Sequence, residues 1–177
     1  MNAIRVARPA SKSRNLAKTA LQVGLIWTTA LYVVPQFIIS LERRAAAIPT
    51  FEPSPIAGWL LFVLASSLGL WSAWVMAWHG EGTPLPLDTA RQLVIRGPYL
   101  WIRNPMAVAG LAQGAAVGLM VGSYGVLLYT LAGIAVWQFL ARPLEERDLV
   151  LRFGEAYQAY REGVPCWRPR MSPYRRD

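Results

Sequence analysis

Arg103-Asn104-Pro105 brings together a fixed cation, an amide and a helix start. Pro105 suits the first turn of a helix, and the N–H groups of such a turn attract anions. Arg103 adds a planar fork of donors matched to carboxylate or phosphate. Gly97-Pro98 marks a turn just ahead, and Tyr99 follows it. The stretch reads as an anion-holding corner where a polar loop meets an apolar run. A second set lies downstream. Glu145 and Glu146 fall in the first turn of a helix expected to begin at Pro143, where acids contribute up to about 1 kcal/mol. Glu146, Val150, Phe153, Tyr157 and Tyr160 recur at helical spacing, which puts Glu146 on the apolar face. A carboxylate there is costly without a partner, so Glu146 is a candidate for function, with Glu145 beside it. The third piece is Gly80-Glu81-Gly82, in a loop rich in glycine and proline where backbone can approach a ligand closely. His79, the single histidine, is either an interfacial side chain with an apolar body and wet tip or a proton-transfer group.

The elements that must position these groups are apolar helices. The chain has 177 residues, 54% hydrophobic and 16% charged, which fits a small integral membrane protein better than a soluble domain. The runs 19–40 and 56–78 exceed the roughly 20 residues that span a bilayer core. The runs 106–121 and 124–140, separated by Gly122-Ser123, form a helical hairpin. The expected fold is all-α: four transmembrane helices, with a cytoplasmic C-terminal helical segment completing the pocket. Residues 1–18 are a mobile basic arm, 19–78 two membrane helices, and 79–177 the region that holds the candidate site. Pro35 is expected to kink the first span, and Arg142-Pro143 to break the fourth. Gly154 ends the next helix, and a short one follows from Glu155. Gly110, Gly114 and Gly118 form a small-residue packing stripe. Trp74 and Trp78 serve either as an aromatic belt or as pocket walls.

The net charge of +8 raises nucleic acid as a partner. The distribution argues against it. Sixteen of the eighteen cations lie in the N-terminal arm, the 79–105 loop and the C-terminal tail, and only Arg43 and Arg44 lie between the first two spans. Four spans with both termini cytoplasmic, in a bacterial inner membrane, satisfy the positive-inside rule. Cys166 is the single cysteine and reads as a packing residue in a reducing compartment. The first apolar run is too long for a signal peptide core of about 7–15 residues and reads as a retained span.

In order along the chain come Gly-x-Gly, Gly-Pro-Tyr with Arg-Asn-Pro-Met, Glu-Glu with Phe-Gly-x-x-Tyr-x-x-Tyr, and Val-Pro-x-Trp-x-Pro. This ordered set resembles the integral-membrane methyltransferases that include the isoprenylcysteine carboxyl methyltransferases and the phospholipid N-methyltransferases. It covers about residues 75–170. The resemblance implies S-adenosylmethionine as methyl donor, held by Gly80, Gly82, Tyr99, Arg103, Asn104, Pro105, Glu145 and Glu146, with Arg103, Asn104 and Glu146 nearest the chemistry. Trp78, Tyr99 and Trp101 are aromatic covers for the adenine or the cation. It implies a lipophilic small-molecule or lipid acceptor arriving from the membrane, and no metal. Ala107 departs from the pattern, standing where the family usually has Tyr. The leading expectation is methyl transfer of the isoprenylcysteine carboxyl type. A phospholipid amine is the alternative acceptor. Because Arg103 and Asn104 are donors that suit an anion, an acid or thiol is favoured over an amine. Two further readings are a membrane reductase using Arg168 and Arg170 for a nicotinamide cofactor's phosphate, and a non-catalytic relative, for which Ala107 speaks.

Overall fold

The structure, a computed structural model, describes residues 11–45, 50–81 and 90–175. Helices dominate throughout, and the only extended pairing among the described residues is a single antiparallel bridge between Thr50 and Ser123. Helix α1 (Lys12–Thr28) starts at Ser11, whose side chain accepts from the Arg14 N–H. It runs through a π-turn (Thr29–Val33) into α2 (Val34–Arg44). Helix α3 spans Pro55–His79, α4 Pro105–Val121 and α5 Tyr124–Val136. A second π-turn (Trp137–Ala141) leads into α6 (Arg142–Phe153), and α7 (Glu155–Gly163) follows.

Among the described residues, three continuous helices are long and apolar enough to cross a membrane: Lys12–Arg44, Pro55–His79 and Tyr124–Phe153. The fourth, Pro105–Val121, has 17 residues, or about 25 Å at 1.5 Å per residue. The all-α integral-membrane architecture expected from the sequence is the one observed. The first helix starts earlier than the expected 19: residues 12–18 are helical rather than a free arm, while 1–10 lie outside the described residues.

Proline sits beside a widened turn in both long helices, and at Pro143 the outcome differs from expectation. Pro35 and Pro143 each follow a π-turn by two residues. Proline has no N–H and its ring displaces the preceding carbonyl. Here each turn is widened so that one N–H reaches five residues back, Val34 to Thr29 and Arg142 to Trp137. The chain therefore continues through Pro143 instead of breaking there. The apolar part ends with this turn, because six of the twelve residues of α6 are charged.

Close helix approach is made by glycine. A Cβ at Gly58 would meet Met120 Cγ at 2.5 Å and the Ala116 carbonyl at 2.9 Å, so α3 lies against α4. On the other side of α4, a Cβ at Gly114 would meet Thr130 Oγ1 at 2.8 Å, and one at Gly118 would meet Leu127 at 2.5 Å. The expected stripe thus packs α4 on α5 through two of its three members, since Gly110 has nothing within 4 Å. At one end of the bundle, Phe51 N–H bonds the Gly122 carbonyl and Ser54 N–H the Leu119 carbonyl. There Glu42 of α2 accepts from Ser123 Oγ and from Gly125 N–H, each at 2.7 Å. The other end gathers the start of α1, where Lys12 lies over the Trp78 ring at 4.6 Å, with the loop and tail that hold the candidate site.

Candidate functional site

Residues 90–104 are laid across the bundle end by alternation. Val94 packs with Val75 of α3 and with Tyr99, while Leu93 and Ile95 join Tyr157, Tyr160 and Val164. Gly97 turns the chain at φ 54°, where a Cβ would meet Val75 at 3.1 Å, a conformation that favours glycine. A short 3-10 turn, Gly97–Leu100, buries Tyr99. The C-terminal tail runs beside this loop. Arg103 N–H bonds the Pro165 carbonyl, Arg170 N–H that of Trp101, and Tyr174 N–H that of Leu100.

This pairing carries Arg103 to α6. Its Nη2 lies 3.1 Å from Glu146 Oε1, and its Nη1 donates to the Arg161 carbonyl at 2.6 Å. The same Glu146 oxygen accepts from Arg142 Nε at 2.8 Å. Arg142 Nη1 donates in turn to Gln138 Oε1. Arg103 is nearly closed off, with 8% of its side chain exposed, and its Nε is buried with no hydrogen-bond partner. Two guanidinium groups thus share one carboxylate oxygen, and the Nε of Arg103 is an unused buried donor.

Asn104 occupies the cap position of α4 without capping it by a side-chain hydrogen bond. Its Nδ2 instead donates to Glu145 Oε2 at 3.3 Å. Pro105 is buried at the first helical position. Cys166 lies in this cluster with 8% exposure. Its burial pushes the thiol above its ordinary range, against the pull of Arg142 and Arg103. Burial likewise raises Tyr157 and Tyr160, so both stay neutral phenols. The Tyr160 hydroxyl donates to the Tyr99 carbonyl at 2.8 Å.

The structure therefore brings Arg103, Asn104, Pro105, Glu145 and Glu146 together. Tyr99 lies beneath them, its hydroxyl 3.4 Å from the Ser72 carbonyl and its ring in the core with α3. Gly80 is elsewhere. Its carbonyl accepts from Arg91 and Gln92 N–H, and a Cβ there would meet the Met76 carbonyl at 2.6 Å. Its small size is used against its own chain. Gly82 lies outside the described residues. His79 lines a separate cavity of about 390 Å³ with Gln92–Arg96, Leu100, Ala156 and Tyr174, which touches the 97–104 segment only through Leu100. Trp78 stacks on Trp74 with centroids 5.9 Å apart. Arg142, Gln138 and Cys166 are cluster members that the sequence does not single out as functional. Only Arg142 left a signal: it precedes Glu146 by four residues, the spacing of a helical ion pair.

The described residues form a helical bundle with helices of membrane-spanning length and a charged, part-buried cluster at one end, the architecture of an integral-membrane protein. Comparison with known sequences carries this further. The phospholipid methyltransferase family profile matches residues 54–156. Methanethiol S-methyltransferase 2 of Bradyrhizobium diazoefficiens is 31% identical over 191 residues, covering 97% of this chain and 69% of that protein. No solved structure matches the chain. The chain belongs to the phospholipid methyltransferase family and is a membrane methyltransferase.

Proposed function

We propose that the protein transfers a methyl group from S-adenosylmethionine to a small lipophilic thiol at the cytoplasmic face of the membrane. The observation that carries the donor half is the Arg103–Arg142–Glu146 cluster, with two guanidinium groups on one carboxylate and the unpartnered buried Nε of Arg103. A buried donor without a partner costs about 1–3 kcal/mol, and an amino-acid carboxylate satisfies it. The residues present fit the donor's amino-acid end. Arg103 and the first turn of α4 take the carboxylate, and Glu145, held by Asn104, takes the ammonium. When bound, the donor supplies a methyl already activated on a sulfonium. The chain's work is to hold donor and acceptor in line and to exclude water.

The acceptor half rests on the methanethiol S-methyltransferase relative, which matches nearly the whole chain. A thiol loses its proton to give an anion, whereas an ammonium gives a neutral amine, so the guanidinium groups of the cluster favour ionisation of the thiol. This agrees with the preference for an acid or thiol over an amine drawn from Arg103 and Asn104. Charge supports the orientation: the bundle end that carries the cluster is the basic one, as the positive-inside rule expects of a cytoplasmic face.

The test is product partition. Membranes containing the protein are incubated with methyl-labelled S-adenosylmethionine and a short alkyl thiol. A volatile labelled thioether is the expected product. Label in a base-labile ester supports a carboxylate acceptor instead, and label in a phosphatidylethanolamine-derived lipid an amine.

A further inference from the structure

A polar chain runs from the C-terminal tail to Glu146, and its outer half has no part in the reading above. Trp167 Nε1 donates to Gln138 Oε1 at 2.7 Å. Arg142 Nη1 donates to the same oxygen at 3.0 Å. Arg142 Nε reaches Glu146 Oε1 at 2.8 Å, the oxygen that Arg103 also approaches at 3.1 Å. The Trp137 and Trp167 rings meet edge to face, centroids 5.0 Å apart.

The placement depends on the π-turn. Trp137 and Gln138 both belong to it, and Arg142 closes it with its N–H on the Trp137 carbonyl. Such turns re-aim side chains within a helix and recur at functional sites. Here the turn delivers one ring to Trp167 and one amide to Arg142. Because Gln138 Oε1 accepts two donors, its oxygen rather than its nitrogen faces the guanidinium.

Charge accounting gives the arrangement a purpose. Arg103 can turn toward an incoming carboxylate only if Glu146 keeps another cation, since a part-buried carboxylate left alone is costly. Arg142 is that cation, but its side chain is long and rotamer-rich. Gln138 fixes it without adding charge, and the Trp167 N–H fixes Gln138. We propose that Gln138 and Trp167 are positioning residues for donor binding. They hold Arg142 on Glu146 so that Arg103 is free for the donor's carboxylate. This inference rests on the donor reading of the previous subsection.

The experiment is titration of purified full-length protein with S-adenosylhomocysteine, beside thermal melting of each variant. Gln138→Met keeps the side-chain length and removes the acceptor. It is expected to weaken binding about tenfold, the scale of a lost hydrogen bond to a charged group. Gln138→Glu keeps the acceptor oxygen and is expected to bind within about twofold of wild type. Trp167→Phe keeps a ring against Trp137 and removes the N–H, and a loss of about threefold is expected. Unchanged affinity in Gln138→Met, or equal weakness in Gln138→Met and Gln138→Glu, overturns the inference. If Gln138→Met does not fold, Trp167→Phe decides: weaker binding supports the inference and wild-type binding overturns it. Wild-type protein that fails to bind overturns the donor reading and this inference together. Wild-type protein that binds, with variants that bind equally well, overturns this inference alone.

Discussion

Arg103 of the loop before α4 and Glu146 of α6 stand 3.1 Å apart, and Glu146 gives the same oxygen to Arg142 at 2.8 Å. One carboxylate between two guanidinium groups fixes the geometry of the cluster.

Loss of Glu146 therefore acts on both stability and binding. A fully buried pair costs about 3–5 kcal/mol when one partner is removed, and Glu146 keeps 18% side-chain exposure. Glu146→Gln is expected to destabilise the protein by about 2 kcal/mol on that scale. Binding of S-adenosylhomocysteine is expected to weaken by tens-fold, because Arg103 and Arg142, without the carboxylate between them, repel each other and lose their placement. Melting curves and titration measure the two effects. A variant unchanged in both removes Glu146 from the site.

Cys166 is held as a neutral thiol by burial. The sign is that of an acid with its folded pKa raised: folding favours the protonated form, so the native thiolate fraction near pH 8 falls below that of a free cysteine near 8.5. The stabilising effect is present at lower pH and is lost as pH rises through the folded pKa. Iodoacetamide at pH 8 is expected to label native protein slowly and denatured protein quickly. Rapid native labelling would contradict the buried placement.

Pro35 and Pro143 each follow a π-turn, and the break expected at Pro143 is not made, for a physical reason. Sequence shows that Pro35 and Pro143 lack an N–H, but only the packed structure shows whether the helix kinks, stops or widens. The clustering of Arg103, Asn104 and Glu146 was legible because a fixed cation before a helix start and an acid on an apolar face each require a partner. Gln138 was not legible. Nothing in an apolar helix announces a glutamine as part of a site until the π-turn aims it at Arg142. The Gly80 position was legible as a glycine requirement, but the close approach it permits is to Met76 and Ala90.

Helix packing gives a paired prediction. Gly58→Ala places a methyl into Met120 and the Ala116 carbonyl and is expected to cost about 1–3 kcal/mol by overpacking. Gly110→Ala meets open space and is expected to be neutral or to stabilise by about 0.5–1 kcal/mol through helix propensity. Melting temperatures of the two variants in the same detergent check this. Equal loss in both would mean that the α3–α4 approach is not as close as described.

Topology is open to labelling. Glu52 lies near the α4–α5 turn and Ser172 in the tail beside the cluster, and both are exposed. Single cysteines at these positions, in a Cys166→Ala background, are treated in intact cells with an impermeant thiol reagent. Position 52 is expected to label and position 172 to stay protected. Labelling at 172 would place the cluster outside the cell.

The most direct measurement is the affinity of purified protein for S-adenosylhomocysteine with and without the Arg103 side chain. Removing one partner of a desolvated charge pair costs about 2–5 kcal/mol, and about 1.4 kcal/mol is tenfold. Arg103→Ala is expected to lose at least about thirtyfold in affinity while keeping the helical content of wild type. Wild-type affinity in folded Arg103→Ala protein would contradict the assignment of the Arg103–Glu146 cluster to the methyl donor.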